Sequence, residues 1–203
     1  PDITLEADTL DEIFMASKKL NDFSILSPIS SDVKFPNYGM IEENKNYVEK
    51  NSPFKVRCID GFSMLLNKKK FRNNDYFDEK FFMYWENNDL CVRAINDGGS
   101  VFIIPKAKIN HLGAKAVDPK FFKEVELSRN WHWMWSTFNY HRKYKGFFIS
   151  LLIVLPKLIS AIIKILIYTL IFNKEKKKIY YQRLSGLINA IMGKSSWYRP
   201  KVY

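Results

Sequence analysis

Residues 77–93 read FDEKFFMYWENNDLCVR, and the rest of the chain is organised around them. The carboxylate pair Asp78 and Glu79 opens the stretch. Phe81, Phe82, Met83, Tyr84 and Trp85 follow as an apolar, mostly aromatic run. Glu86 and Asp89 then stand at the mouth of an amphipathic helix. Its expected apolar face is Leu90, Ala94 and Ile95, and Gly98-Gly99 ends it. Exposed amide N–H groups at a helix start favour negative charge, so Glu86 is expected to be ionised at neutral pH. An ionised carboxylate beside aromatic walls, Trp85 among them, suits a general base with a platform for a ring-shaped substrate. The same residues also fit ordinary capping chemistry, with Asp89 paired to Arg93 one turn on.

The string resembles the acidic signature of family-two glycosyltransferases, in particular their rhamnosyltransferase-like bacterial branch. That family reads approximately G-x-x-M-L, then F-D-E-x-F-F-x-Y-x-E-D-x-D-L-x-x-R, then a Gly-bearing turn, a strand and a His. Here Gly61-Phe62-Ser63-Met64-Leu65-Leu66 and Phe71 precede the string. Gly98-Gly99 and the run VFIIPKAKINHLG, ending at Gly113, follow it. Order and spacing hold over about residues 1–145.

The resemblance implies an α/β fold: the C-terminal portion of a GT-A, Rossmann-like catalytic domain, with most of the nucleotide-binding half upstream. Pro1-Asp2-Ile3 is similar to the tail of the family's acidic motif, which makes Asp2 a metal carboxylate. His111 approaches the same metal or the diphosphate. The implied cofactor is a divalent cation, Mg²⁺ or Mn²⁺, since hard cations prefer carboxylate oxygen and one imidazole can complete an Mn²⁺ site. By the same resemblance Glu86, Asn87 and Asp89 are the catalytic set. Gly61, Trp85, Arg93, Arg129 and Asn130 are the substrate-binding set. One departure stands out: the family's Glu-Asp pair is Glu86-Asn87 here, and an amide cannot accept a proton at neutral pH. Glu86 is therefore the expected base, with Asn87 orienting the acceptor.

Composition bounds the rest. The 203 residues suffice for a domain with its own core, and 47% hydrophobic with 16% aromatic content excludes a disordered tail. The chain starts at Pro1 with no signal peptide, which reads as a fragment. Cys58 and Cys91 are too few for a disulfide framework, and with three His they show no zinc spacing. Residues 1–141 carry 19 Lys+Arg and 20 Asp+Glu, whereas residues 142–203 carry 13 and one. The basic third is also the greasiest. That combination favours an anionic membrane surface over nucleic acid.

In chain order, Asp8 or Thr9 caps a helix over residues 10–20. Residues 23–29 read as a strand broken by Pro28, and residues 30–53 as a loop. Residues 54–66 form a strand-like unit in which Gly61 marks either a close backbone approach to a ligand or a bulge. Residues 100–104 are a strand stopped by Pro105. His111 is either structural or a ligand, and Lys115 can reach a phosphate. Pro119 opens a helix over residues 119–141. Trp131, Trp133 and Trp135 on it either line an acceptor site or else pack the helix onto the sheet or meet a membrane interface, where Trp is favoured; the second reading is expected for at least two of them.

Residues 147–172 are long enough to cross a bilayer but are interrupted by Pro156, Lys157 and Lys164. The two lysines share a narrow stripe with Ser150, Ser160 and Tyr168. That fits a helix lying in the interface with its lysines snorkelling to headgroups, kinked or split at Pro156. A spanning helix and a soluble helical hairpin are the other readings. The expected division is a catalytic part, 1–145, and a membrane-associated part, 146–203. The implied function is inverting transfer of a sugar from a nucleotide-diphosphate donor to a lipid-linked or polysaccharide hydroxyl. Its setting would be the cytoplasmic face of a bacterial inner membrane, in cell-envelope synthesis. Two rivals are a non-catalytic glycosyltransferase-like scaffold and a nucleic-acid-binding protein using the basic tail.

Overall fold

A computed structural model describes residues 3–41, 51–71, 75–111 and 117–200. Asp2 and Ala114 to Ala116, which include Lys115, lie outside these residues. The chain forms two compact units, one of residues 1–78 and 86–116, the other of residues 79–85 and 117–203.

The first unit is a mixed α/β structure. Its strands are β1 (Ile3–Leu5), β2 (Phe23–Ser30), β3 (Tyr38–Met40), β4 (Phe54–Ile59), β5 (Leu65–Leu66) and β6 (Ser100–His111). They form one sheet in the order β3-β4-β6-β2-β5, with β1 also paired to β6. β2 and β6 are parallel, and the other pairings are antiparallel. The helices are α1 (Thr9–Lys19) and α2 (Glu86–Asn96). Side chains alternate across a strand, so β6 feeds two cores. Val101 and Ile103 join Leu90, Cys91 and Ala94 of α2, whereas Phe102 and Ile104 join Ile13 and Ala16 of α1. Cys91, not Ile95, completes the buried face of α2; Ile95 is exposed. Burial pushes the Cys91 thiol up to about 12, so it behaves as a small apolar core group.

Two prolines expected to end strands do not. β6 continues from Ser100 to His111 through Pro105, and β2 continues through Pro28. The β2–β6 register jumps between Pro28 and Ile29, opposite a jump from Ile104 to Lys108. Pro105 therefore sits in a bulge, where a missing N–H breaks no ladder bond. β5 pairs with only Ile25 and Leu26, which leaves β2 open on that side at Pro28. Asn37 secures the irregular edge by donating from Nδ2 to the Pro28 carbonyl at 2.9 Å. The expected 30–53 loop also contains β3. Asp8 stands before α1 but makes no side-chain cap; Thr9 Oγ1 lies 2.8 Å and 2.7 Å from the carbonyls of Glu6 and Lys108.

The second unit consists of α3 (Phe122–Lys145), α4 (Phe147–Leu170), α5 (Lys174–Ile191) and the aromatic segment 79–85. Asp118 caps the Pro119–Phe121 turn leading into α3. Phe81, Trp131, Met134, Trp135, Phe138, Val154, Leu187 and Ala190 make its core. The compositional boundary at 145/146 falls inside this unit, because the aromatic face of α3 packs on α4 and α5. Gly186 lets α5 approach α3 closely: a Cβ there would collide with the backbone carbonyl of Trp131. α4 runs unbroken through Pro156. Its polar stripe is divided: Lys157 is exposed, as snorkelling requires, but other members turn inward. Ser150 is buried, Tyr168 stacks on Tyr180 at 5.5 Å, and Lys164 Nζ donates to Tyr180 Oη at 2.9 Å. The small and polar side of α4 is the side that packs, and the greasy side is left exposed.

Candidate functional site

In the first unit the residues that can do chemistry gather at three chain ends: the end of β4, the start of α2 and the end of β6. Asn87 links the first two. Its Nδ2 donates to the Ile59 carbonyl at 2.5 Å, and its Cβ lies 3.4 Å from where a Gly61 Cβ would stand. Gly61 thus gives close access between strand end and helix start. Beside it, Glu86 Oε2 is buried and has no hydrogen-bond partner among the described residues. Burial raises the Glu86 pKa above the ordinary glutamate value, and a hydrogen bond from its own backbone N–H offsets part of this. The helix start was expected to dominate; burial outweighs it. A buried carboxylate with an unused oxygen is poised to take a proton rather than to hold a salt bridge.

At the third chain end, His111 stacks on Phe62, with ring centroids 4.4 Å apart and planes at 14°. His111 is registered opposite Ile3, the residue after Asp2 in sequence. Asp60 keeps an exposed edge, but the atoms packed round its carboxyl raise its pKa, and the charge of nearby His111 pulls it back. Asp60 and Phe62 were not picked out from the sequence. The available signal was an acid closing an apolar-alternating strand directly before Gly61. A carboxylate and an imidazole make two donors of a kind that fits Mn²⁺ or Mg²⁺. No cluster of three His, Cys, Asp or Glu in reach of one ion occurs among the described residues.

Asp89 and Arg93 are committed to each other. Asp89 is fully buried and accepts from Arg93 Nε at 2.9 Å. Arg93 also donates to the Asp75 carbonyl at 2.7 Å and to the Tyr76 carbonyl. This clamp fastens α2 to the chain before it.

Trp85, Arg129 and Asn130 belong to the second unit. Trp85 Nε1 donates to Thr137 Oγ1 at 3.1 Å, and its ring lies 4.4 Å from Tyr140. Tyr84 and Trp85 both take left-handed backbone, φ 67° and 70°. Such a conformation costs a bulky residue about 1–2 kcal/mol, which the ring contacts of Trp85 offset. Arg129 Nε donates to Tyr84 Oη at 2.9 Å, and Asn130 Oδ1 accepts from Arg183 Nε at 2.7 Å. Trp131 and Trp135 are core, while Trp133 is exposed.

No protein-family model matches the chain. Among curated proteins it is similar to the rhamnosyltransferase WbbL of Escherichia coli (strain K12). The two are 32% identical over 130 residues, 61% of this chain. The match spans 46% of that protein, so the chain corresponds to about half the length of its relative. The relationship is glycosyltransferase-like, on a mixed α/β fold.

Proposed function

We propose that the chain is the acceptor-side part of a GT-A-type, inverting glycosyltransferase. It would move a sugar from a nucleotide-diphosphate donor to a lipid-linked or polysaccharide hydroxyl at the cytoplasmic face of a bacterial membrane. The observation that carries this reading is the buried, unpartnered oxygen of Glu86 at the start of α2, in the unit that also holds Asp60, Gly61 and His111. Glu86 takes the acceptor proton as the acceptor oxygen attacks the anomeric carbon. Asn87 holds the helix start against Ile59, which keeps Glu86 aimed. Asp60, His111 and, by its place before Ile3, Asp2 would hold a divalent cation. When bound, that ion neutralises charge on the leaving diphosphate. The relative is a rhamnosyltransferase, which makes rhamnose the first sugar to try.

Glu86→Gln in the full-length protein tests this: it should lower donor turnover by about 10²–10⁴-fold, the range for losing a general base, while donor binding persists. An unchanged rate removes Glu86 from the role. The scaffold reading draws on Asn87, whose amide replaces the family's acid and is spent on a carbonyl; it requires that the unaltered protein turn over no donor.

The membrane-surface reading rests on α4. It has the length and apolarity to cross a bilayer, yet it is largely uncovered. A spanning placement conflicts with α5, which runs antiparallel beside it: Lys176 meets Tyr168 near one end, and Leu187 and Ala190 join Val154 near the other. A spanning α4 would drag Arg183, which lies midway along α5, into hydrocarbon at about 2.5–3.5 kcal/mol near the centre. Lying in the plane carries no such cost.

A further inference from the structure

Within the helical unit a cavity of about 230 Å³ opens between α3, α4 and α5. Trp133, Lys157, Ser160, Tyr180 and Arg183 line it, with Pro156 at the α4 side, and among the described residues no acidic one does. Two cations facing a space without a counter-charge make it an anion site in waiting. Its donors are set in advance. Arg183 Nε is held by Asn130 Oδ1 at 2.7 Å, and its guanidinium lies 5.4 Å over the Tyr180 ring. Tyr180 Oη is itself held by Lys164 at 2.9 Å. A planar fork fixed at one nitrogen presents its remaining N–H groups in the geometry that suits phosphate oxygens. Ser160 adds a hydroxyl donor.

Size and surroundings narrow the ligand. The cavity is smaller than the roughly 300–1,000 Å³ usual for drug-sized ligands, so it suits a headgroup rather than a sugar nucleotide. The outer stripe of α4 is bare and apolar: Phe148 is 80% exposed, Leu152 68%, Leu166 60% and Leu170 76%. Pro156 lies about a sixth of a turn, and Ser160 a little over a quarter of a turn, round α4 from the centre of that stripe. With the stripe among acyl chains, the cavity mouth stands at headgroup depth. Exposed Trp133 beside it is of the residue type favoured at that depth.

We infer that this cavity binds the headgroup phosphate of an anionic phospholipid, through Arg183, Lys157 and Ser160. The inference rests on the membrane-surface reading of α4 and adds a discrete site to it.

The test is flotation of the purified full-length protein with vesicles of phosphatidylcholine alone or containing phosphatidylglycerol. The unaltered protein should float preferentially with phosphatidylglycerol. Lys157→Gln with Arg183→Gln should bind those vesicles about tenfold more weakly, the loss of at least one charge-assisted contact. Lys157 is exposed, so Lys157→Gln alone keeps the test alive if the double variant fails to fold. Replacing Lys176, Lys177 and Lys178 by Gln should weaken binding to both the unaltered and the cavity-altered protein, while the cavity effect persists. Equal flotation of the folded cavity variant and the unaltered protein overturns the site and leaves surface adsorption standing. Equal binding to both vesicle types does the same. Binding to neither vesicle overturns the membrane reading itself, and binding of inorganic phosphate by the unaltered but not the cavity-altered protein would then reassign the cavity to a free anion.

Discussion

The side-chain amide of Asn87 donates to the backbone carbonyl of Ile59 at 2.5 Å, tying the start of α2 to the end of β4. An aspartate at position 87 would supply the acid that the resembling glycosyltransferases carry there but remove this donor and set an anion beside a carbonyl oxygen. Asn87→Asp should therefore destabilise the fold by about 1–3 kcal/mol in urea titrations. It should also fail to restore turnover when added to Glu86→Gln, which places the proton-accepting role on Glu86 and the fastening role on residue 87.

Glu86 should leave a signature in stability as well as in rate. Its folded pKa is raised, so the folded state is favoured while the group is protonated, and that contribution is lost as pH rises through the raised value. Glu86→Gln escapes the loss. Melting temperatures of the variant relative to the unaltered protein should rise as pH increases from the ordinary glutamate range towards neutrality. The acidic limb of kcat/KM should lie above the ordinary glutamate range. A flat stability difference across that interval would contradict burial as the cause.

Arg93→Ala leaves the Asp89 carboxylate buried without its cation and frees two backbone carbonyls. Breaking a buried pair from one side costs about 3–5 kcal/mol. Asp89→Asn in the same background should return part of it. Arg93→Lys keeps the charge but not the fork. If Arg93 contacts substrate as well, that variant should raise KM beyond what its lost stability explains, a split that chemical denaturation and steady-state kinetics together resolve.

Gly186→Ala should be disproportionately harmful for one methyl group. The added Cβ meets the Trp131 carbonyl, a backbone atom that cannot rotate away. Forcing α3 and α5 apart should cost about 1–3 kcal/mol by thermal denaturation, whereas Gly193→Ala, with nothing near its Cβ, tests only positive-φ strain.

The helix from Glu86 to Asn96 could be read directly, since acids at its mouth, apolar spacing and a glycine stop all agree. Alternation likewise marked β4. Pro28 and Pro105 misled because a proline ends a strand only where its N–H is needed, and a bulge across two strands is invisible in either one alone. Ile95 and Cys91 are four positions apart; helical spacing accepts both, and only the placement of the sheet selects Cys91. Asp60 stayed hidden because His111, whose charge acts on it, comes from the end of β6, far along the chain. The polar stripe of α4 was seen, but its direction was not. Facing water and facing α5 satisfy the same periodicity, and only the contacts of Lys164 and Tyr168 with Tyr180 show that this part of the stripe faces α5.

The polypeptide leaves the sheet-bearing unit after Asp78, returns at Glu86, and leaves again after Ala116. Genetic dissection must respect that path. A clone stopped at residue 116 would keep Phe81 and Trp85 but strip away Trp135, Thr137 and Tyr140, which cover them, and aggregation is the expected result. A chimera meant to exchange the helical half between relatives must carry residues 79–85 along with it. The aromatic segment 79–85 and the helical scaffold thus form one recombination block, although helix α2 follows that segment directly in sequence.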